Sequence, residues 1–432
     1  MIYILKKDYT SPRWSGEICD CSMPMTFDTY STCSFNCLYC FAFFQKSHNV
    51  QGYMGELTPK TRVTRSVDPK KVKQIFKEGL EGNCKTKASQ EFKQYIKNKL
   101  TMQWGGLADG FDDNEKKYKI SLDLLKFFDK IDYPLSISTK GTFFTKDKEY
   151  MELIEKHSHN WHFKVSIITN NKFKAKKMEE GVPSPKERLK SIKRLSNKGI
   201  NVTLRLRPYL VGLSEDYPEL IDKASNNGAN SVTTEFFCLE LRADQNLKEK
   251  YRQMSNILGY DIYEFYKKNS STEGYLRLNY ELKRNIINDM KSQTHKNKML
   301  FYVSDAHHKE KSDDTCCCGC PPHFKVFRGQ FAEALQKAKR HPDKIVTWED
   351  IQKQNKQILS QVPYECTGFN TTGSKTRTLR KYQSMSDYLQ SIWNSPKNNK
   401  SPYKYFEKIL YPIGKTKDNN IIYKYWKEKA NK

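Results

Sequence analysis

Between residues 100 and 304, short apolar runs alternate with stretches of helical periodicity, and that alternation predicts the fold. Leu100–Trp104, Leu135–Thr139, His162–Thr169, Asn201–Arg207, Ser231–Leu239 and Met299–Ser304 read as strands. Between them, apolar residues at helical spacing mark Ser121–Phe128, Lys146–His157, Ser184–Lys198, Tyr217–Asn226 and most of 243–292, with a break near Ser270–Gly274. Earlier helical patterns over 69–80 and 88–100 start at Asp68-Pro69 and break at Glu81-Gly82-Asn83. The helix after Ser184 carries a capping serine, a proline at its first position and Gly199 beyond its end. Strands linked by helices through short connections require a parallel sheet. Six such units predict an α/β fold, a partial (β/α)6 TIM-like barrel over 31–305. A leader segment (1–30), a cysteine-rich segment (306–324) and a basic, mainly α extension (325–432) are expected around it.

Strand alternation then sorts side chains by face. On 201–207, Val202, Leu204 and Leu206 share one face, and Thr203, Arg205 and Arg207 share the other. Helices cover the outside of such a barrel, so the polar face points inward. The same rule turns Ser136, Ser138 and Lys140 inward, then Lys164 and Ser166, then Thr233 and Glu235. Buried polar groups are costly unless they bind something. For Arg205 the alternative is an internal ion pair with Glu235.

Chemistry enters with the cysteines. Cys33-Ser34-Phe35-Asn36-Cys37-Leu38-Tyr39-Cys40 is a C-x3-C-x2-C run with an aromatic residue before its last cysteine. Four thiolates ordinarily hold a cubane iron–sulfur cluster, so three leave one iron open for a ligand. A zinc loop would instead favour C-x2-C pairs closed by a fourth ligand. The run resembles the signature of the radical S-adenosylmethionine (SAM) superfamily, with Cys33, Cys37 and Cys40 as ligands of a 4Fe-4S cluster. That resemblance implies an open partial barrel and chelation of SAM by the open iron. It further implies reductive cleavage to a 5′-deoxyadenosyl radical and abstraction of hydrogen from a substrate. It places Tyr39 against the SAM adenine, where the alternative is a packing aromatic, and Gly105-Gly106 at the methionyl amino group, where the alternative is a turn. Ser166 and Arg205 suit the ribose and carboxylate of SAM, or a polar substrate. The stretch 104–115, with Asp109 and Glu115, is similar to a segment in relatives of spore photolyase, the DNA repair photolyase-like group. So are Gly181-Val182-Pro183-Ser184-Pro185 with Arg188-Leu189, and Gly199-Ile200 leading to Pro208. Bottom-up, Asp109 and Glu115 are acids in a loop at the active end, or else cap and solvate it.

A second group, Cys316-Cys317-Cys318-Gly319-Cys320, is too crowded for all four side chains to face one metal. Some of them suit a second iron–sulfur cluster or zinc, with Cys19, Cys21, His307, His308 or His323 as candidate further ligands. Alternatively Cys318 and Cys320 are catalytic thiols returning a hydrogen atom to a substrate radical, or the group is a crowded structural turn. Spore photolyases use such a thiol, but no cysteine here matches its position. Clustered rather than paired cysteines point to a reducing compartment, the cytoplasm.

Charge bears on the partner. The net charge is +26, and residues 321–432 carry 22 Lys+Arg against 9 Asp+Glu. With the basic run Lys375–Tyr382 and the aromatics Trp393, Tyr403, Tyr405, Phe406, Tyr423, Tyr425 and Trp426, this suits nucleic acid. The plainer reading is a small aromatic core solvated by lysines. No apolar run reaches the roughly 18 residues of a membrane helix, and Met1–Lys7 reads as a strand rather than a signal peptide. Three functions follow. The first is a radical SAM enzyme of nucleic-acid or nucleotide repair or modification, fed by a flavodoxin- or ferredoxin-type reductant. The second is a radical SAM maturase of a peptide or protein. The third is a non-catalytic zinc-containing nucleic-acid binder.

Overall fold

The computed structural model describes residues 2–15, 19–42, 61–240, 245–270, 275–328, 330–352 and 384–426. The basic run 375–382 lies outside them. The main sheet holds eight strands: β1 (Arg13–Trp14), β2 (Met25–Phe27), β3 (Met102–Trp104), β4 (Leu135–Thr139), β5 (Trp161–Ser166), β6 (Asn201–Tyr209), β7 (Ser231–Phe236) and β8 (Leu300–Val303). Their order in the sheet follows their order in the chain. All neighbours from β2 to β8 are parallel, and β1 is antiparallel to β2. The strand order runs from β1 to β8 without closing into a ring, so the barrel is partial.

Helices cross between the parallel strands, as the periodicity requires. Pro69–Glu81 is capped by Asp68, whose carboxylate accepts from Lys70 N at 3.0 Å. Pro185–Ser196 is capped by the Ser184 hydroxyl, which accepts from Glu187 N at 3.3 Å. Tyr217–Asn226 spans the predicted residues. β4 and β5 are buried along their whole length, the condition of strands covered on one face by helices and filled on the other by barrel contents.

Three expectations change. The expected leader supplies β1 and β2, so the sheet begins before residue 30. Strands of two and three residues are too short to show a period in sequence. The expected strand 231–239 ends at Phe236, and Cys238–Glu240 turns away to pair antiparallel with Tyr275–Arg277. The extension carries helices, among them Phe331–Arg340 and Met385–Trp393. It also carries a three-stranded antiparallel sheet of Ile345–Val346, Ile421–Tyr425 and Leu410–Lys415. Its aromatics fill a core: Trp393, Phe406 and Tyr423 are buried, and Trp393 Nε1 donates to Ile421 O at 2.8 Å. Trp426 alone of the set is largely exposed. Phe331 N donates to Cys19 O and Tyr405 Oη to Asp20, binding the extension to the segment before β2.

Candidate active site

A cavity of about 480 Å³ opens at the C-terminal ends of the strands, where parallel barrels carry their chemistry. Cys33, Cys37 and Cys40 line it, with Tyr39, Gly105, Gly106, Ser166 and Arg205. The fold therefore gathers eight residues expected to hold cluster and SAM around one space.

The cysteine loop follows β2 and is fastened by buried polar groups. Cys37 pairs in antiparallel bridge geometry with Glu179, and Leu38 N donates to Met178 O at 3.0 Å. Tyr39 Oη donates to the Glu179 carboxylate, which also meets the Arg188 guanidinium. Arg188 Nη1 donates to Ser166 O at 2.7 Å, so one buried pair ties the loop to the end of β5. Burial raises the Tyr39 phenol well above its ordinary value, with the Glu179 charge adding to it. On the other side Asp112 accepts from Ser34 N, and burial lifts its carboxyl to about 7.

The glycine loop is built as closely. Gly105 ends β3 at φ +84°, and a side chain there would collide with the Ser138 carbonyl. The buried Asp28 carboxylate accepts from Leu107 N at 2.8 Å and Ala108 N at 3.0 Å, and pairs with Arg13 at 2.5 Å. Asp28 and Arg13 lie in the segment expected as a leader, and only their long-range contacts reveal this role.

Asp109 lines the cavity, yet its carboxylate accepts from Phe111 N, Thr139 Oγ1 and Lys140 N, so it braces the loop around itself. Glu115 is turned away from the cavity. It accepts from Tyr30 Oη (2.6 Å), Tyr150 Oη (2.7 Å), Ser121 N and Leu122 N (both 2.8 Å), capping the helix Ile120–Lys130. Glu115→Gln sets an amide against four donors and is expected to cost about 1–3 kcal/mol in chemical denaturation, with the cavity's ligands unchanged.

Charge in the cavity is mostly positive. Lys140, Arg205, Arg207 and Arg277 line it against Asp109, Glu235 and Glu240. The alternative pairing of Arg205 with Glu235 is not the one formed, because Glu235 meets Arg207 Nε. Arg205 Nη1 reaches Ser166 Oγ at 3.4 Å, and burial, helped by Arg207, pulls its guanidinium down to about 10. A buried cation of this kind is stabilised by an anionic ligand beside it. The buried Ser138 hydroxyl, also on the cavity wall, has no hydrogen-bond partner among the described residues.

The donor set fits an iron–sulfur cluster. Burial pushes the Cys33 thiol up to about 12, with repulsion from Cys40 second, and burial likewise raises Cys37. Thiols crowded in this way ionise together only around a cation. Among the described residues, the one group of three ligands drawn within 4.8 Å of each other is Asp132, His157 and His159, with His157 buried between two exposed residues. The three cysteine sulfurs therefore do not all lie within 4.8 Å of one another, as the ligands of a lone zinc ion would.

Cys318 and Cys320, expected as catalytic thiols, are not among the residues lining the cavity. They pack with Cys21, Met23, Cys316, Cys317, Phe324 and Val326 in a separate buried cluster. The cavity's further thiol is Cys238, placed there where the chain leaves β7 for the hairpin. Its sequence context is an unremarked apolar run, so nothing in the sequence singles it out.

Residues 28–224 match the model of the Radical SAM superfamily. The fold and the three-cysteine cavity agree with that match, so the chain carries a radical SAM domain over residues 28–224 and is an enzyme. Among solved structures it is similar to a spore photoproduct lyase double mutant with bound AdoMet and dinucleoside spore photoproduct: 12% identity, 70% of this chain, 81% of that chain, TM-score 0.49. Spore photoproduct lyase complexed with the dinucleoside alone matches with the same figures. SuiB of Streptococcus suis bound to S-adenosylmethionine matches at 14% identity over 66% of this chain and 51% of its own, with a TM-score of 0.40. No curated protein matches. No helix among the described residues is long and apolar enough to cross a membrane.

Proposed function

We propose that this enzyme binds a 4Fe-4S cluster through Cys33, Cys37 and Cys40 and SAM in the adjoining cavity, and acts on a nucleic acid or nucleotide. When bound, the cluster supplies the electron that cleaves SAM and so starts hydrogen abstraction from the substrate. The observation that carries the reading is the cavity itself, where cluster cysteines, an uncommitted buried serine hydroxyl and an unneutralised arginine face one volume. Tyr39 and Lys140 form one wall, with Lys140 Nζ 5.6 Å from the ring centre. Gly105 and Gly106 let backbone approach a ligand, and Arg205 and Ser166 offer donors to a carboxylate or ribose. Arg207 and Arg277 extend the positive lining, and the chain's +26 charge attracts a polyanion over longer range. The thiolates belong in a reducing compartment, the cytoplasm, with a flavodoxin- or ferredoxin-type protein as electron source.

The test is 5′-deoxyadenosine formation by reduced, reconstituted enzyme. Added oligonucleotide is expected to stimulate it and to bind at moderate salt. A peptide substrate is the second reading, favoured by the buried cysteine group beneath the cavity. Stimulation by peptide but not oligonucleotide would establish it.

Within this reading Cys238 replaces Cys318 and Cys320 as the hydrogen-donating thiol. Its S–H breaks as a C–H bond forms on a substrate radical, and the resulting thiyl returns to thiol by taking one electron from the same reductant and one proton from water. Burial pushes this thiol up to about 12, so it stays protonated, and donation is expected to be independent of pH up to about 11. Cys238→Ala is expected to retain SAM cleavage while final product falls at least about tenfold. Equal loss of both would contradict the role.

A further inference from the structure

Below the cavity, the inner faces of the strands carry a second layer of polar groups. Ser136 Oγ meets His162 Nδ1 at 2.9 Å, His162 Nε2 meets Thr203 Oγ1 at 2.7 Å, and Thr203 Oγ1 meets Ser231 Oγ at 2.6 Å. These residues stand at the beginnings of β4 to β7, so the belt marks the barrel floor. The turn 316–320 is pressed against it. Thr203 Oγ1 donates to Gly319 O at 3.0 Å and Thr233 Oγ1 to Cys317 O at 2.6 Å. Gly319 adopts φ +70°, and a Cβ there would stand 2.8 Å from Thr203 Cγ2. The family match ends at residue 224 and does not reach this turn.

Five thiols meet here. Cys21 arrives from the segment before β2, and Cys316, Cys317, Cys318 and Cys320 from the turn, all buried in one cluster. None is in a disulfide. Lys164 stands over them from β5, fully buried, in register between Ser138 and Thr203 and one residue pair below Ser166. Its ammonium has no hydrogen-bond partner among the described residues, and its charge acts on Cys318 and Cys320. A buried ammonium without an anion costs several kcal/mol, and the groups facing it that can turn negative are these thiols.

We propose that Cys21, Cys316, Cys318 and Cys320 hold a second iron–sulfur cluster on the barrel floor, with Lys164 as its counter-charge. Four thiolates around an iron–sulfur core leave a net negative charge, which the ammonium neutralises. Four thiolates complete the ligand set of one cluster, and Cys317, flanked in the chain by two of them, is the thiol left out. Its carbonyl is held by Thr233, and its thiol, hydrogen-bonded to that of Cys318, also feels the charges of Lys309 and Asp20. A lone zinc ion suits the site less, because no three of these sulfurs lie within 4.8 Å of one another. The site does not depend on the identity of the substrate.

The test is iron, acid-labile sulfide and zinc content of the full chain after anaerobic reconstitution. Wild type is expected to hold about eight irons, and Cys316→Ala/Cys318→Ala half as many. Cys317→Ala is expected to hold the wild-type amount. Replacing Cys33, Cys37 and Cys40 together by alanine is expected to leave half the iron, in a cluster whose EPR signal ignores SAM. That variant decides the matter even if the double variant fails to fold. About four irons in wild type, all lost with Cys33, Cys37 and Cys40, would overturn the proposal. So would zinc occupying the floor site, or iron loss in Cys317→Ala equal to that of the double variant.

Discussion

Arg188→Ala is expected to destabilise the protein by about 3–5 kcal/mol and to strip iron from the first cluster loop. Arg188 is 1% exposed and holds two acceptors at once, the Glu179 carboxylate and Ser166 O. Its removal leaves a buried carboxylate with the Tyr39 hydroxyl as its remaining side-chain partner among the hydrogen bonds described. Glu179 is also the bridge partner of Cys37, so a carboxylate that seeks water drags a cluster ligand with it. The loop is expected to release iron during gel filtration. Denaturant unfolding and iron content together check this. Arg188→Ala combined with Glu179→Gln should recover part of the stability, because the stranded charge is then gone. A loss below about 1 kcal/mol with full iron retention would show that the pair does not position the loop.

Arg205→Ala is expected to weaken SAM binding by about 30- to 150-fold, equivalent to about 2–3 kcal/mol for a charge-assisted hydrogen bond in a buried setting. Iron content should be unchanged, because Arg205 is on β6 and the cysteine loop hangs from Glu179. Arg205→Lys keeps the charge without the planar fork and should recover only part of the affinity. Calorimetric titration of SAM into the reconstituted variants measures the effect. Wild-type affinity in Arg205→Ala would move the SAM carboxylate elsewhere on the wall, with Arg207 and Arg277 next.

Much of this site is legible in the sequence, for reasons that particular residues make clear. Cys33, Cys37 and Cys40, which the fold brings to the cavity, stand out in the sequence because their loop is local. Period-2 alternation correctly turned Ser138, Ser166, Arg205 and Arg207 inward, since a strand buried on both faces still needs a polar lining to meet a ligand. Alternation gives the face of a strand but not the height along the barrel. Thr203 and Arg205 share a face, yet one seats the cysteine turn on the floor and the other lines the cavity. The same missing coordinate misplaced Cys318 and Cys320, which face the barrel from its floor. Glu179 and Cys238 were invisible for another reason. Their roles come from a two-residue bridge and from a strand that leaves the sheet after Phe236, both decided by contacts distant in sequence. Glu115 was seen as an acid at the active end, but only the fold shows Tyr30 and Tyr150 converging on it.

The most direct test of the central assignment is the EPR spectrum of reduced, reconstituted protein with and without SAM. A reduced-cluster signal that SAM perturbs, absent when Cys33, Cys37 and Cys40 are all alanine, is the expected result. A signal indifferent to SAM, or zinc in place of iron at these cysteines, would contradict it.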